Sequence, residues 1–204
     1  MKNWTLEEFA SQSASKEPVP GGGGVSAACG ALAASLGEMV TRLTIGKKKF
    51  LEYTEELTDI QKELSVLREE LLDAIEKDAE AFRPLSAVYS LPKDSEGYEE
   101  KMESCLKAAA ASPFEILKKT CRVIELDERL APISSKLAIS DAATSVMLAE
   151  GVLYGAHINV LVNTRLMKDR GYAEKLQKEA DDLLQEYAER ALKVYRYVER
   201  RLHE

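Results

Sequence analysis

The sequence predicts an all-α protein, a single-domain bundle of long up-and-down helices over residues 1–204. Three observations carry that expectation. The composition leans on Ala, Leu, Glu and Lys, the strong helix formers, and aromatics make up only 6%. Six prolines and eleven glycines are few for 204 residues. Apolar residues recur every three or four positions over stretches far longer than a strand. A chain of this length buries enough surface to fold without a disulfide or a metal.

The elements follow in order. Thr5, with Glu8 three residues on, is a reciprocal capping pair that predicts a brief first helix, and Pro18-Val19-Pro20 reads as an extended connector. After Gly21-Gly22-Gly23-Gly24, the residues from Val25 to Leu36 are small or apolar nearly all round, the pattern of a helix enclosed by neighbours in close contact. Gly46 predicts its end, where Lys47, Lys48 and Lys49 complement the carbonyl pole. A third helix runs from about Phe50 to the region of Ser90, and Pro84 either kinks it or begins a new segment. Leu91-Pro92-Lys93-Asp94 is the clearest break, with Asp94 or Ser95 as cap of the next helix, which Ser112-Pro113 breaks or restarts. Ser140-Asp141 introduces a small-residue helix to about Met167, closed by Asp169-Arg170-Gly171, and an amphipathic outer helix runs from Tyr172 to Leu202. Neither an internal repeat nor a domain linker is visible.

Charge and composition narrow the function. Acidic residues outnumber basic ones, 35 against 28, for a formal charge of −7. A basic face that tracks a phosphate backbone would need strong segregation, so nucleic acid is not expected as a partner. Three cysteines, Cys29, Cys105 and Cys121, share no close spacing, and with only His157 and His203 beside them no zinc ligand set and no cysteine–histidine pair is legible. The first ten residues are acidic and amphipathic rather than secretory in type, and no segment reaches about 18 uninterrupted apolar residues. The expectation is a soluble cytoplasmic protein with no membrane partner.

One residue breaks its pattern. Ile60, Leu64, Leu67, Leu71, Ile75, Asp78, Phe82 and Leu85 recur at spacings of three and four, which places the Asp78 carboxylate on an apolar seam. Burial there would raise its pKa and yield a group able to give and take protons near neutrality. The other reading is an aspartate at a solvated edge, or one paired with a lysine as a structural bridge. Gly21, Gly22, Gly23 and Gly24 before a helix offer clustered N–H groups to an anion or a flat ligand, or they form a flexible connector. Asp141, Ser145, Asn159 and Asn163 fall near one line of a largely apolar helix. They suit a heteroaromatic ligand with several donors and acceptors, or Asp141 caps the helix while the asparagines bond to backbone. The lysine triplet either meets a ligand carboxylate or is a solvated helix end.

Together these pieces resemble a known family. Pro20-Gly21-Gly22-Gly23-Gly24 and its alanine-rich helix, Met39 through Thr44 with Gly46-Lys47-Lys48-Lys49-Phe50, Asp78-Ala79-Glu80-Ala81-Phe82, Leu91-Pro92-Lys93, Ala111-Ser112-Pro113, Ser140-Asp141-Ala142 and Asn159-Val160-Leu161-Val162-Asn163 stand in the order and spacing of the cyclodeaminase domain of formiminotransferase-cyclodeaminase and its stand-alone bacterial relatives, cyclodeaminases and methenyltetrahydrofolate cyclohydrolases. The resemblance spans nearly the whole chain. It implies a dimeric all-helical fold, a tetrahydrofolate substrate, and a catalytic aspartate in the Asp-Ala-Glu-Ala-Phe motif, which transfers to Asp78. It implies no metal and no redox cofactor. Many relatives carry Gly-Asn shortly before Ser-Asp, where this chain reads Ser134-Ser135-Lys136-Leu137.

The expected reaction is conversion of 5-formiminotetrahydrofolate to 5,10-methenyltetrahydrofolate and ammonia, with hydrolysis of the methenyl compound to 10-formyltetrahydrofolate as the alternative. In either, Asp78 is the expected catalytic residue. Gly21, Gly22, Gly23, Gly24, Asp141, Asn159 and Asn163 are expected to line the pterin or bridge region, and Lys47, Lys48 and Lys49 to attract a polyglutamate tail. A non-enzymatic helical dimerisation scaffold is the rival from another class. Asp78 argues against it, because an assembly helix would carry Leu or Ile there.

Overall fold

The structure, a computed structural model, describes residues 1–203. All regular elements among them are helical. The order is α1 (Leu6–Ser13), α2 (Gly22–Thr44), a 3-10 segment (Lys48–Tyr53), α3 (Thr54–Tyr89), α4 (Tyr98–Ile133), α5 (Ile139–Thr164) and α6 (Arg170–His203). Helices α2 to α5 form a four-membered ring in which each packs on its chain neighbours and α5 closes on α2. The connections between them are short, as consecutive antiparallel helices require. Helix α6 lies outside, against α5 and α4.

Local chemistry accounts for most boundaries. The Thr5 hydroxyl accepts from the Glu8 N–H at 3.2 Å, and the Glu8 carboxylate accepts from the Thr5 N–H at 2.6 Å, the capping pair anticipated. Helix α2 ends just before Gly46, whose φ of +81° favours glycine. Asp169 accepts from the Tyr172 N–H at 3.1 Å and so starts α6 rather than closing α5.

Three expectations need correction. Neither Asp94 nor Ser95 caps α4. Ser95 is spent in a turn on the Pro92 carbonyl, and the helix starts after Gly97, at φ +70°. Ser112-Pro113 does not interrupt α4, which runs through Pro113 as one helix. Helix α2 is not enclosed all round within one chain, for Val25, Leu32, Met39 and Leu43 stay exposed on its outer side.

Helix α5 has a matching outer row, Tyr154, Ile158 and Val162, four residues apart, which Leu166 continues just past the helix end. These two helices are long and apolar enough to cross a membrane by length and composition, yet 61% and 39% of their most apolar stretches are buried in the bundle. Small residues let them approach. A Cβ on Gly155 would stand 2.6 Å from the Ser26 hydroxyl of α2, and between α2 and α3 one on Gly37 would stand 3.0 Å from Cδ1 of Leu64.

The apolar interior comes in two sections. The larger is built on Leu57, Leu64 and Leu71 of α3, Ile116 and Ile124 of α4 and Val152 of α5. The smaller joins Leu85, Leu106 and Val160 to Met167, Ala173 and Leu176. On α3 the join falls between Ile75 and Leu85, on α4 between Ala110 and Ile116, and on α5 between Ala156 and Val160. Those intervals contain Asp78, Ser112 and Asn159, a polar layer across the bundle.

Candidate active site

The first turn of α2 forms one wall of this layer. Gly21 is the N-cap and supplies no side-chain acceptor, while the first intrahelical bond runs from the Val25 N–H to the Gly21 carbonyl at 3.0 Å. The N–H groups of Gly22, Gly23 and Gly24 are therefore left over at the positive pole of the helix. Asp78 reaches them from α3. A Cβ on Gly23 would stand 2.5 Å from Asp78 Oδ2, so only glycine gives this approach. Burial pushes the Asp78 carboxyl pKa above the usual carboxylate range, and the Ser112 hydroxyl and Gly24 N–H that face it offset part of the rise.

The opposite wall comes from α5. The amide nitrogen of Asn159 donates to the Gly155 carbonyl at 2.7 Å, and that of Asn163 donates to the carbonyls of Asn159 at 2.9 Å and Ala109 at 3.1 Å. Asn163 has both amide hydrogens engaged on backbone and Asn159 one of its two, which leaves both carbonyl oxygens and one Asn159 N–H free. Pro18, Val19, Phe82, Pro113 and Val162 complete a cavity of about 150 Å³ around Gly21–Gly23, Asp78, Asn159 and Asn163. It is smaller than the roughly 300–1,000 Å³ of a pocket that engulfs a drug-sized ligand. It holds a reacting centre and leaves the rest of a larger molecule outside. Wider grooves run along Glu99, Glu103 and Lys107 and between α2 and α3; the first is walled by charged surface side chains, and the buried carboxylate of the second, Glu38, is paired with Arg42 and Arg68.

The structure thus brings Gly21, Gly22, Gly23, Gly24, Asp78, Asn159 and Asn163 together. It does not bring in the lysines. Lys47, Lys48 and Lys49 lie beyond the other end of α2, on the order of 35 Å from Gly23 at 1.5 Å per residue. There the Lys47 ammonium donates to the Ser135 hydroxyl at 2.7 Å. Asp141 sits in the first turn of α5, on the order of 27 Å along the helix from Asn159, and caps nothing, since α5 begins after Ala138 with no side-chain cap. Ser145 is fully buried away from the cavity.

Two groups escaped sequence reasoning. Ser112 was noticed only beside its proline and as part of the Ala111-Ser112-Pro113 motif, with no role at the site. Asp127 of α4 was not noticed at all, although it continues an apolar row through Ile116, Thr120, Val123 and Leu130 in the same way that Asp78 interrupts its own. Asp127 is fully buried. The Ser145 hydroxyl lies 2.6 Å from its Oδ2 and 2.7 Å from the Ala33 carbonyl oxygen, and Oδ1 has no partner. One hydroxyl hydrogen cannot serve both acceptors, whereas a protonated Asp127 can donate to Ser145 while Ser145 donates to Ala33. Burial accordingly pushes its pKa up to about 8. Asp127 stands beside Gly37, about 20 Å along α2 from Gly23. It belongs to the core and not to the cavity.

The sequence profile of the family described as Formiminotransferase-cyclodeaminase matches residues 5–182. The chain belongs to this family. Among its relatives, the methenyltetrahydrofolate cyclohydrolase of Methylorubrum extorquens is 36% identical over 205 residues, covering 98% of this chain and 99% of that protein. The formimidoyltransferase-cyclodeaminase of Rattus norvegicus is 26% identical over 186 residues, 89% of this chain but 34% of the larger protein. The crystal structure of formiminotetrahydrofolate cyclodeaminase from Thermotoga maritima superposes with a TM-score of 0.85 at 28% identity, covering 97% of this chain and 98% of that one. The family relationship therefore spans the whole bundle, including the polar layer.

Proposed function

We propose that this chain is a tetrahydrofolate one-carbon enzyme working on the carbon between N5 and N10, with Asp78 as its proton-transfer group. The observation that carries the proposal is a carboxyl group withdrawn from water yet open to a cavity and pressed against the N-terminal turn of a helix. Full-length identity of 36% to a methenyltetrahydrofolate cyclohydrolase supports hydrolysis. Water adds to the methenyl carbon, Asp78 takes its proton, and cleavage of the N5–C bond with return of that proton to N5 gives 10-formyltetrahydrofolate; the new carbinol hydroxyl loses the proton that is released. The bundle shared with a formiminotetrahydrofolate cyclodeaminase supports the second reading. With the formimino group protonated as an amidinium, N10 attacks its carbon, Asp78 accepts the N10 proton and delivers it to the amino group, and ammonia departs to leave the cationic methenyl bridge. Neither sequence of steps calls on a redox cofactor, and holding the attacking atom against the carbon lowers the entropic part of the barrier.

The same proposal includes a homodimer in the cytoplasm. The exposed rows of α2 and α5 make one apolar face, and a second copy is the occupant that explains why two helices are apolar on both sides. Packing α2 on its two-fold mate in antiparallel fashion about its midpoint brings the partner subunit's Lys47 toward the glycine turn. The lysines then meet the carboxylates of a folate tail leaving the small cavity.

Absorbance at the methenyl band tests both reactions with one protein. Loss of methenyltetrahydrofolate faster than in buffer marks hydrolysis, and its appearance from 5-formiminotetrahydrofolate marks cyclodeamination. No change with either substrate refutes the reading in favour of a scaffold. Asp78→Asn should lower turnover about 10²- to 10⁴-fold, the usual worth of a positioned acid–base group, while thermal unfolding stays at or above the wild-type temperature. Wild-type turnover in that variant would remove the role of Asp78.

A further inference from the structure

Helix α4 passes through Pro113 without interruption, and this needs a physical account. Proline brings no N–H to the carbonyl four residues back, here Ala109, and its ring crowds that carbonyl. The orphaned carbonyl is not left bare. Asn163 of α5 donates to it at 3.1 Å and to its own Asn159 carbonyl at 2.9 Å. Both partners can only accept, so the orientation of the Asn163 amide is fixed. Asn163 is only 8% exposed, and Ala109, Pro113 and Asn163 all line the cavity that holds Asp78. Ser112, whose hydroxyl faces the Asp78 carboxyl, immediately precedes the proline.

We propose that Asn163 is a positioning residue, whose side-chain amide ties α5 to the carbonyl that Pro113 orphans in α4 and thereby holds Ser112 where its hydroxyl faces the Asp78 carboxyl. The inference rests on Asp78 being the proton-transfer group. It assigns Asn163 a different task from binding substrate. The proline makes a backbone acceptor available at the level of the cavity, and the asparagine ties α5 to it less than one turn before Ser112. Ser112 in turn favours the ionised carboxylate, against the burial that favours the acid.

The test is the pH dependence of kcat/KM together with thermal unfolding, in the full-length protein with its better folate substrate. Ser112→Ala should move the midpoint assigned to Asp78 to higher pH by about one unit, the worth of one hydrogen bond to a charged group. Asn163→Ala should move it the same way and lower the unfolding temperature. Because the asparagine acts through the serine, N163A/S112A should show no greater midpoint shift than S112A. Pro113→Ala in the N163A background returns an N–H to the Ala109 carbonyl, so P113A/N163A should regain stability while its midpoint stays displaced. This double variant also carries the test if N163A alone fails to fold. A wild-type midpoint in N163A, additive shifts in N163A/S112A, or a midpoint restored in P113A/N163A would each overturn the inference. The last outcome would mean that Asn163 merely satisfies a backbone group. An active D78N removes the underlying assignment as well, whereas an inactive D78N beside an unshifted N163A removes this inference alone.

Discussion

A Cβ placed on Gly23 would lie 2.5 Å from Oδ2 and 2.6 Å from Cγ of Asp78, with Oδ1 nearer still. The obstacle is a side-chain carboxyl, which can swing aside, and not a backbone that would have to break. Gly23→Ala should therefore fold, helped by the better helix propensity of alanine, but with the carboxyl displaced on the order of 1 Å, a shift that costs about 100-fold in rate. Turnover and unfolding temperature measured on the same preparation decide the matter. Equal turnover would show that the close approach has no chemical purpose.

Asp127 predicts a pH signature in stability. Its pKa in the folded protein, about 8, lies above that of an aspartate in an unfolded chain. Between the two values the native state holds a proton that the unfolded state has lost, so stability falls as pH rises, by up to about 1.4 kcal/mol per unit, and levels off above pH 8. Asp127→Asn keeps a donor for the Ser145 hydroxyl and cannot ionise. It should match the wild type in acid, exceed it at pH 8 and flatten the curve between. Denaturant unfolding across that range is the measurement, and parallel curves for the two proteins would contradict the neutral acid.

The outer face of α2 and α5 predicts assembly. Ile158 is 59% exposed in the single chain and Leu32 is 56% exposed. Ile158→Lys should halve the particle mass in sedimentation while leaving the helical circular dichroism unchanged, because the substitution points away from the bundle. A wild-type protein that sediments as a monomer at micromolar concentration would reject the dimer outright.

The lysines give the last prediction. Replacing Lys47, Lys48 and Lys49 with alanine should weaken binding of a polyglutamylated folate more than of the monoglutamate, and added salt should shrink the difference. Equal loss for both ligands would reject the tail contact and leave Lys47 its bond to Ser135 alone.

What could be read in advance depended on whether the signal was periodic or spatial. The row from Ile60 to Leu85 is clean, so both the long third helix and its intruding aspartate stood out; its positions are buried except Asp78 and Phe82, which are half-buried at the cavity. Asp127 obeys the same spacing on α4, but Thr120, Glu125 and Glu128 crowd the row and mask it. The break expected at Pro113 follows from local stereochemistry. It failed because Asn163, fifty residues on, supplies the missing donor, and no local rule contains that bond. Lys47 and Asp141 were grouped with the site by chemistry, although helix rise alone puts Lys47 on the order of 35 Å from Gly23 and Asp141 on the order of 27 Å from Asn159.

The polar layer separates the interior into two stacks that share no buried side chain. Engineering for heat resistance consequently has two independent handles. Repacking around Leu64 and Ile124, or around Leu106 and Leu176, can harden one end of the molecule while the seam at Asp78 keeps the geometry that turnover requires.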